Sequence, residues 1–335
     1  MEWTADVAAG DWLRERLDDG AACGRTMHGV VPRGFAAYAR VFHRPSVTTL
    51  AGGAVPPADE WVRLPASTQQ ELVERMSTEP TTWADTARVF GTTLHPQAQW
   101  NRVVRGESDE PNTWQQAVAV DGREYRAPVE GELDPEALAA VAEHLVAHTA
   151  TPDDGHIAVW EGWGGLLGFL GEAPSRMWLS WPAGGEEDAA VLDRHNAMLG
   201  RSVPDRFNNV FRKPTWQPGI LSDEISRGPR LELPGRDHVL FRGGVRELAR
   251  PDWVLHVPWR DVPGEEHGFP PEARSPSLVW PDDRAWVLVT EVDHDSTIVG
   301  GSLELVAALC ADPRIEAMPV PEGADLSWEG DTVNR

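Results

Sequence analysis

The sequence predicts an α+β protein built on a mixed or largely antiparallel sheet with packed helices. Three observations carry this. Helical and strand-like segments follow one another without a regular βαβ rhythm. The run "VAVDGREY" carries a hairpin signal, Asp121-Gly122 between alternating residues. "ELDPEALAAVAEHLVAHT" has the capping and periodicity of a packed helix.

The elements follow in order. Val7 to Leu17 reads as an amphipathic helix with Trp12, Leu13 and Leu17 inward. "GFAAYARVFH" leans to a strand that Pro45 stops. Ser67 to Met76 opens with Ser67-x-x-Gln70, a capping-box pattern, and reads as helix. "TTWADTARVFG" reads as a second helix stopped by Gly91, and "HPQAQWNRVVRG" as a short third. In the helix after Asp134, that Asp is the expected N-cap and Pro135 the first helical residue. Its stripe is Leu138, Val141, Leu145 and Val146.

"GHIAVW" and "RMWLSWP" read as strands, and Asp188 to Leu199 as a helix. Gly200 to Gly235 is rich in Pro, Gly, Arg and Asn and reads as a long loop. "RDHVLFRGG", "DWVLHVPW", Ala285 to Asp293 and Thr297 to Val299 read as strands. "GSLELVAALCADP" is a helix and "IEAMPV" a closing strand. Two arrangements fit. One is a helix-rich lobe over 1–200 and a second lobe over 201–320, with 321–335 as a frayed tail. The other is a single domain.

The 335 residues are 41% hydrophobic, enough for a sizeable core. Cys23 and Cys310 are too few for a disulfide framework or a cysteine-only zinc site. They are expected as reduced, buried thiols. The N-terminus lacks the basic and apolar regions of a signal peptide, and no apolar run approaches a membrane span. A cytoplasmic protein that binds no membrane is the expectation. A net charge of -23 repels phosphate backbones, which disfavours nucleic acid. The same charge would suit an acidic immunity-type inhibitor of a basic toxin. Lys213 is the only lysine among the 30 cations, which argues against lysine chemistry.

Tryptophan is over-used, at 16 against 2 tyrosines. The residues pair along the chain: Trp160 with Trp163, Trp178 with Trp181, Trp253 with Trp259, Trp280 with Trp286. They serve either the core or an aromatic groove for a ligand or partner. Trp160, Trp163, Trp178 and Trp181 are the expected contacts. "GWGGLLGF", Gly162 to Phe169, contains the second of the first pair. Its glycines faintly follow a dinucleotide loop, but no phosphate-capping helix can follow it. A bend that lets Trp160 and Trp163 pack fits better.

Two metal arrangements deserve weighing. Glu291, Asp293 and Asp295 recur at every second position after an apolar strand. Carboxylates at a strand end can hold a hard divalent cation, with His294 beside them. They can equally cap a turn. His144 and His148 share a helix face at the i, i+4 spacing of zinc sites. His148 also suits the negative end of a helix. No cofactor is otherwise expected, and neither a nucleophile elbow nor a Walker A loop is present.

"VPRGFAAYARVFH", "TWADTARVFGTTLHPQAQW", "HTATPDDGHIAVWEGWG" and "SPSLVWPDDRAWVLVTEVDHDSTIVGG" together resemble a family of uncharacterised proteins from high-G+C Gram-positive bacteria. The resemblance runs from about Val31 to Val320. It implies one cooperating unit and a cytoplasmic setting, and no activity. The leading expectation is a non-catalytic protein that binds a protein partner or small ligand. The alternative is a metal-dependent hydrolase using Glu291, Asp293 and Asp295.

Overall fold

Strictly alternating apolar side chains build the centre of the protein, as a computed structural model of residues 1–18, 26–106, 115–171, 214–266 and 268–334 describes it. The class is α+β, as expected. Every strand pairing among the described residues is antiparallel.

The main sheet has nine strands. Numbering strands in chain order, its path runs β1 (Glu2–Trp3), β11 (Arg236–Arg242), β7 (Gly155–Trp160), β12 (Leu278–Pro281), β13 (Val287–Thr290), β14 (Ser296–Gly301), β2 (Ala37–Phe42), β15 (Ala317–Val320). β10 (Leu231–Leu233) also pairs with β11. β10 lies against Arg236 to His238 and β1 against Phe241 and Arg242, so two short strands share one edge end to end. β15 forms the other edge and carries Pro319, a residue that edges tolerate.

Both faces are buried. On one, Ile157, Val159, Val239, Phe241, Leu288 and Val299 meet the Pro135–Ala147 and Leu303–Ala311 helices. On the other, Ala158, Leu240, Leu278, Val287 and Ile298 lie under Trp12, Leu13, Met27, Ala324 and Leu326. Burial on both sides explains the unbroken apolar run of β13. Each such Leu, Val or Ile contributes roughly 1.5–3 kcal/mol.

A four-stranded sheet follows the order β4 (Met76–Pro80), β3 (Ser46–Leu50), β6 (Glu124–Arg126), β5 (Gln116–Val118). It joins the main sheet through a third cluster of Phe42, Trp83, Trp100 and Tyr125. β8 (Phe169–Gly171) and β9 (Thr215–Gln217) form a separate pair.

Several expectations need correction. The main sheet takes strands from both sides of residue 200, so a boundary there does not separate its strands. The segment expected to fray packs instead, with Ala324, Leu326 and Asp331 buried. "DWVLHVPW" is not a strand. Trp253–His256 forms a 3-10 turn, and Trp253 and Val257 go inward at a helical i, i+4 spacing between Pro251 and Pro258. The Ser67 capping box is unused, because the helix starts at Ala66 behind Pro65 with no side-chain cap. The hairpin loop spans three residues rather than two. Ala119 N–H donates to the Arg123 carbonyl, and Gly122 is left-handed.

The expected strand at 176–182, the helix at 188–199, Trp178, Trp181, Lys213 and Cys23 lie outside the described residues. Cys310 is a free, half-buried thiol. No described helix is long and apolar enough to cross a membrane.

Candidate functional site

Seven of the thirteen described tryptophans are spent on the core. Trp253, Trp259, Trp280 and Trp286 are each 0–1% exposed. Three of these indoles donate to carbonyls: Trp253 to Pro135, Trp259 to Arg274 and Trp286 to Leu145. Trp160 and Trp163 differ. They are only partly buried and meet edge to face, with ring centroids 5.5 Å apart.

β7 ends at Trp160, and the glycine bend of 162–165 turns Trp163 back onto it. Leu166 anchors the far side of the bend in the core. Ile220 and Leu221 N–H groups donate to the Gly165 and Leu166 carbonyls, at 2.9 Å each. Gly168 N–H donates to Ser226 Oγ.

Guanidinium groups extend this aromatic pair at both ends. Arg236 lies 4.9 Å from the Trp160 ring centre, and Arg274 lies 4.8 Å from that of Trp163. Such stacks are worth roughly 0.5–2 kcal/mol each. Burial pulls Arg274 below the usual arginine range. It pairs with Glu132 and lies 3.7 Å from Glu272.

Arg236 is where two expected sites meet. Its Nε donates to Glu291 at 2.5 Å, and its Nη2 pairs with Asp293. Asp295 goes elsewhere. It accepts from Arg40 Nη2 at 2.9 Å. The carboxylate row therefore splits between two arginines rather than converging. His294 carries a ring held below its ordinary value by burial, with Glu291 and Asp295 opposing. Partial burial, then Asp295 and Asp293, push the neighbouring Glu130 up. Among the described residues, no group of three or more His, Cys, Asp or Glu is placed to hold a metal ion.

The helical histidines are not brought together either. His144 Nε2 lies 2.8 Å from Asp312. His148 is the C-cap, and its Nδ1 bonds back to the His144 carbonyl at 2.7 Å. The carbonyl can only accept, so that nitrogen carries the proton.

Beside Trp163 lies a cavity of about 170 Å³, lined among others by Leu166, Phe169, Ile220, Trp259 and Arg274. Asp261 and Glu272 are also among its lining residues. The Trp163 indole N–H is buried and has no hydrogen-bond partner. Sequence reasoning named both tryptophans as contacts and Trp259 only as one of a pair, and it missed Arg236 and Arg274. Nothing local marks those residues, because their partners lie far away along the chain.

Comparisons with protein-family models, curated proteins and solved structures return no match.

Proposed function

We propose that this is a non-catalytic binding protein that takes a small, ring-sized apolar group beside Trp163. The carrying observation is a cavity with aromatic walls lined by Trp163, whose buried indole N–H has no partner. A cavity of roughly 150 Å³ is large enough for benzene, and this one, lined by charged as well as apolar residues, is about 170 Å³. An unpaired buried donor costs about 1–3 kcal/mol. A ligand with an acceptor at its edge would recover that cost. Arg274, already stacked on Trp163, would favour a negative or carbonyl acceptor.

The hydrolase reading has less support. A catalytic cation needs free carboxylates, whereas Glu291, Asp293 and Asp295 already face guanidinium groups. The inhibitor reading rests on the net charge of -23 alone. Kinship with proteins of high-G+C Gram-positive bacteria is likewise a proposal from motifs, and it assigns no activity.

The test is ligand-observed NMR with phenol, benzoate and cyclohexanol on the full chain. Phenol or benzoate should bind, and Trp163→Ala should weaken binding at least tenfold, about 1.4 kcal/mol. Absence of binding by all three would overturn the reading. So would binding that Trp163→Ala leaves unchanged.

A further inference from the structure

A second cavity has the opposite chemistry. It encloses about 330 Å³ and is lined by Gly91, Thr92, Thr93, Asn101, Arg102, Arg105, Gly106, Val333 and Asn334. No carboxylate is among these residues. In a chain with 53 acidic residues against 30 basic ones, a cavity with two arginines and no acid among its described lining residues stands apart. Asp331, which bonds to Val333 and Asn334 of the lining, has its carboxylate already engaged. It accepts from His95, from the Gln99, Val333 and Asn334 backbone N–H groups, and from the Asn334 amide.

The cavity wall holds donors that are unspent. Asn101 is 1% exposed, and neither its amide nitrogen nor its amide oxygen has a hydrogen-bond partner. Buried polar groups are almost always paired, with protein, water or ligand, and an occupant offering both a donor and an acceptor would satisfy this amide. Arg102 Nε is also buried without a partner. Arg102 lines the cavity without an acidic partner among the described residues.

The backbone around the cavity is built with strain. Arg105 sits at φ 54, left-handed for a residue with a side chain. That conformation brings its guanidinium onto the Phe90 and Gly91 carbonyls, at 2.9 Å each. Gly91, at φ 66, ends the Trp83–Phe90 helix there. Thr93 and Asn334 close the other side through reciprocal bonds of 2.9 Å. Strain held in place by surrounding bonds is a feature of ligand sites.

We infer that this cavity binds a small oxyanion, a phosphate or carboxylate group, on a body that presents both a donor and an acceptor to Asn101. Arg102 neutralises the anion, and Asn101 reads the group beside it. The volume lies at the lower end of small-molecule sites, so the occupant is metabolite-sized. The site is separate from the Trp163 cavity and does not depend on the reading given to that one.

The test is calorimetric titration of the full chain with inorganic phosphate, acetate and phosphoserine. Binding of at least one probe at millimolar affinity or tighter is expected. The probe that binds distinguishes a phosphate from a carboxylate source. Arg102→Gln should weaken binding at least tenfold. Asn101→Leu should weaken phosphoserine more than inorganic phosphate. The same variant should leave the melting temperature of the ligand-free protein unchanged or raised, because an apolar isostere removes an unpaired amide. Absence of heat with all three probes overturns the inference. Binding unchanged in Arg102→Gln overturns it too, since that is general ion association. A lower melting temperature for Asn101→Leu would show the amide to be satisfied within the fold and would remove its role.

Discussion

Arg40 shows how one buried cation changes the meaning of an acidic motif. It is 1% exposed, yet its donors are engaged. Nε reaches Ser296 at 2.8 Å, Nη1 the Ala98 and Pro96 carbonyls at 2.8 and 3.2 Å, and Nη2 Asp295 at 2.9 Å. The guanidinium also stacks on Phe42 at 4.6 Å. Burial pulls it below the usual arginine range, and Asp295 opposes that pull. Arg40→Met would leave Asp295 and two carbonyls without their donor. We expect a loss of about 3–5 kcal/mol in urea unfolding. A loss under about 1 kcal/mol would mean that water replaces the guanidinium.

His43 lies one strand end away and behaves differently. Its Nδ1 faces the Val129 carbonyl and its Nε2 the Thr297 hydroxyl. The carbonyl only accepts, so Nδ1 carries a proton, and burial keeps the ring neutral near pH 7. Burial pushes His43 and His238 each down to about 4. The unfolded chain binds these protons near 6.5 and the folded chain near 4. Stability is therefore full above that upper value and falls as pH drops toward the lower one. The slope is about 1.4 kcal/mol per pH unit for each histidine. Urea midpoints measured between about pH 7 and pH 5 should show this fall, and His43→Gln should flatten it. Equal midpoints across the window would contradict the neutral assignment.

At the scale of elements, the site depends on how the 129–134 segment docks on the turn after β13. Gly131 N–H donates to the His294 carbonyl at 2.8 Å. Gly131 is at φ 71, and a Cβ there would lie 2.6 Å from the Val292 Cα. Only glycine allows this approach. Gly131→Ala should lose at least about 1–2 kcal/mol from the left-handed backbone alone. It should also displace Glu132 from Arg274, and a thermal melt with the Trp163 ligand assay would read both effects.

Elements with local signals were legible in the sequence. Asp134 caps Ala137 and Pro135 opens the helix, as the motif predicts. Thr82 caps the next clear helix, and Gly91 ends it. β3 and β4 were missed because Met76–Pro80 is largely exposed and has no apolar alternation. The alternation of Glu291, Asp293 and Asp295 was legible, but their partners Arg236 and Arg40 are 55 and 255 residues away. Glu316 was invisible for the same reason. Its carboxylate accepts from the Trp83 and Ala84 N–H groups, 233 and 232 residues away.

For the whole molecule, the main sheet joins the ends of the chain. β2 pairs only with β14 and β15, while β7 pairs with β11 and β12. A fragment of residues 1–200 would leave both strands with bare edges and their apolar faces half covered. It should show no dispersed amide NMR spectrum and no cooperative unfolding. A folded fragment would show that the N-terminal elements have a core of their own.

This long-range pairing has a consequence for synthesis. His43 and Thr297, which bond across β2 and β14, are separated by 254 residues. At ordinary translation rates of roughly 5–20 residues per second, β2 leaves the ribosome about 10–50 s before its neighbour. Through that interval, Tyr38, Val41 and Phe42 have no sheet to enter. The nascent chain therefore holds an apolar strand unpaired until β14 has been made.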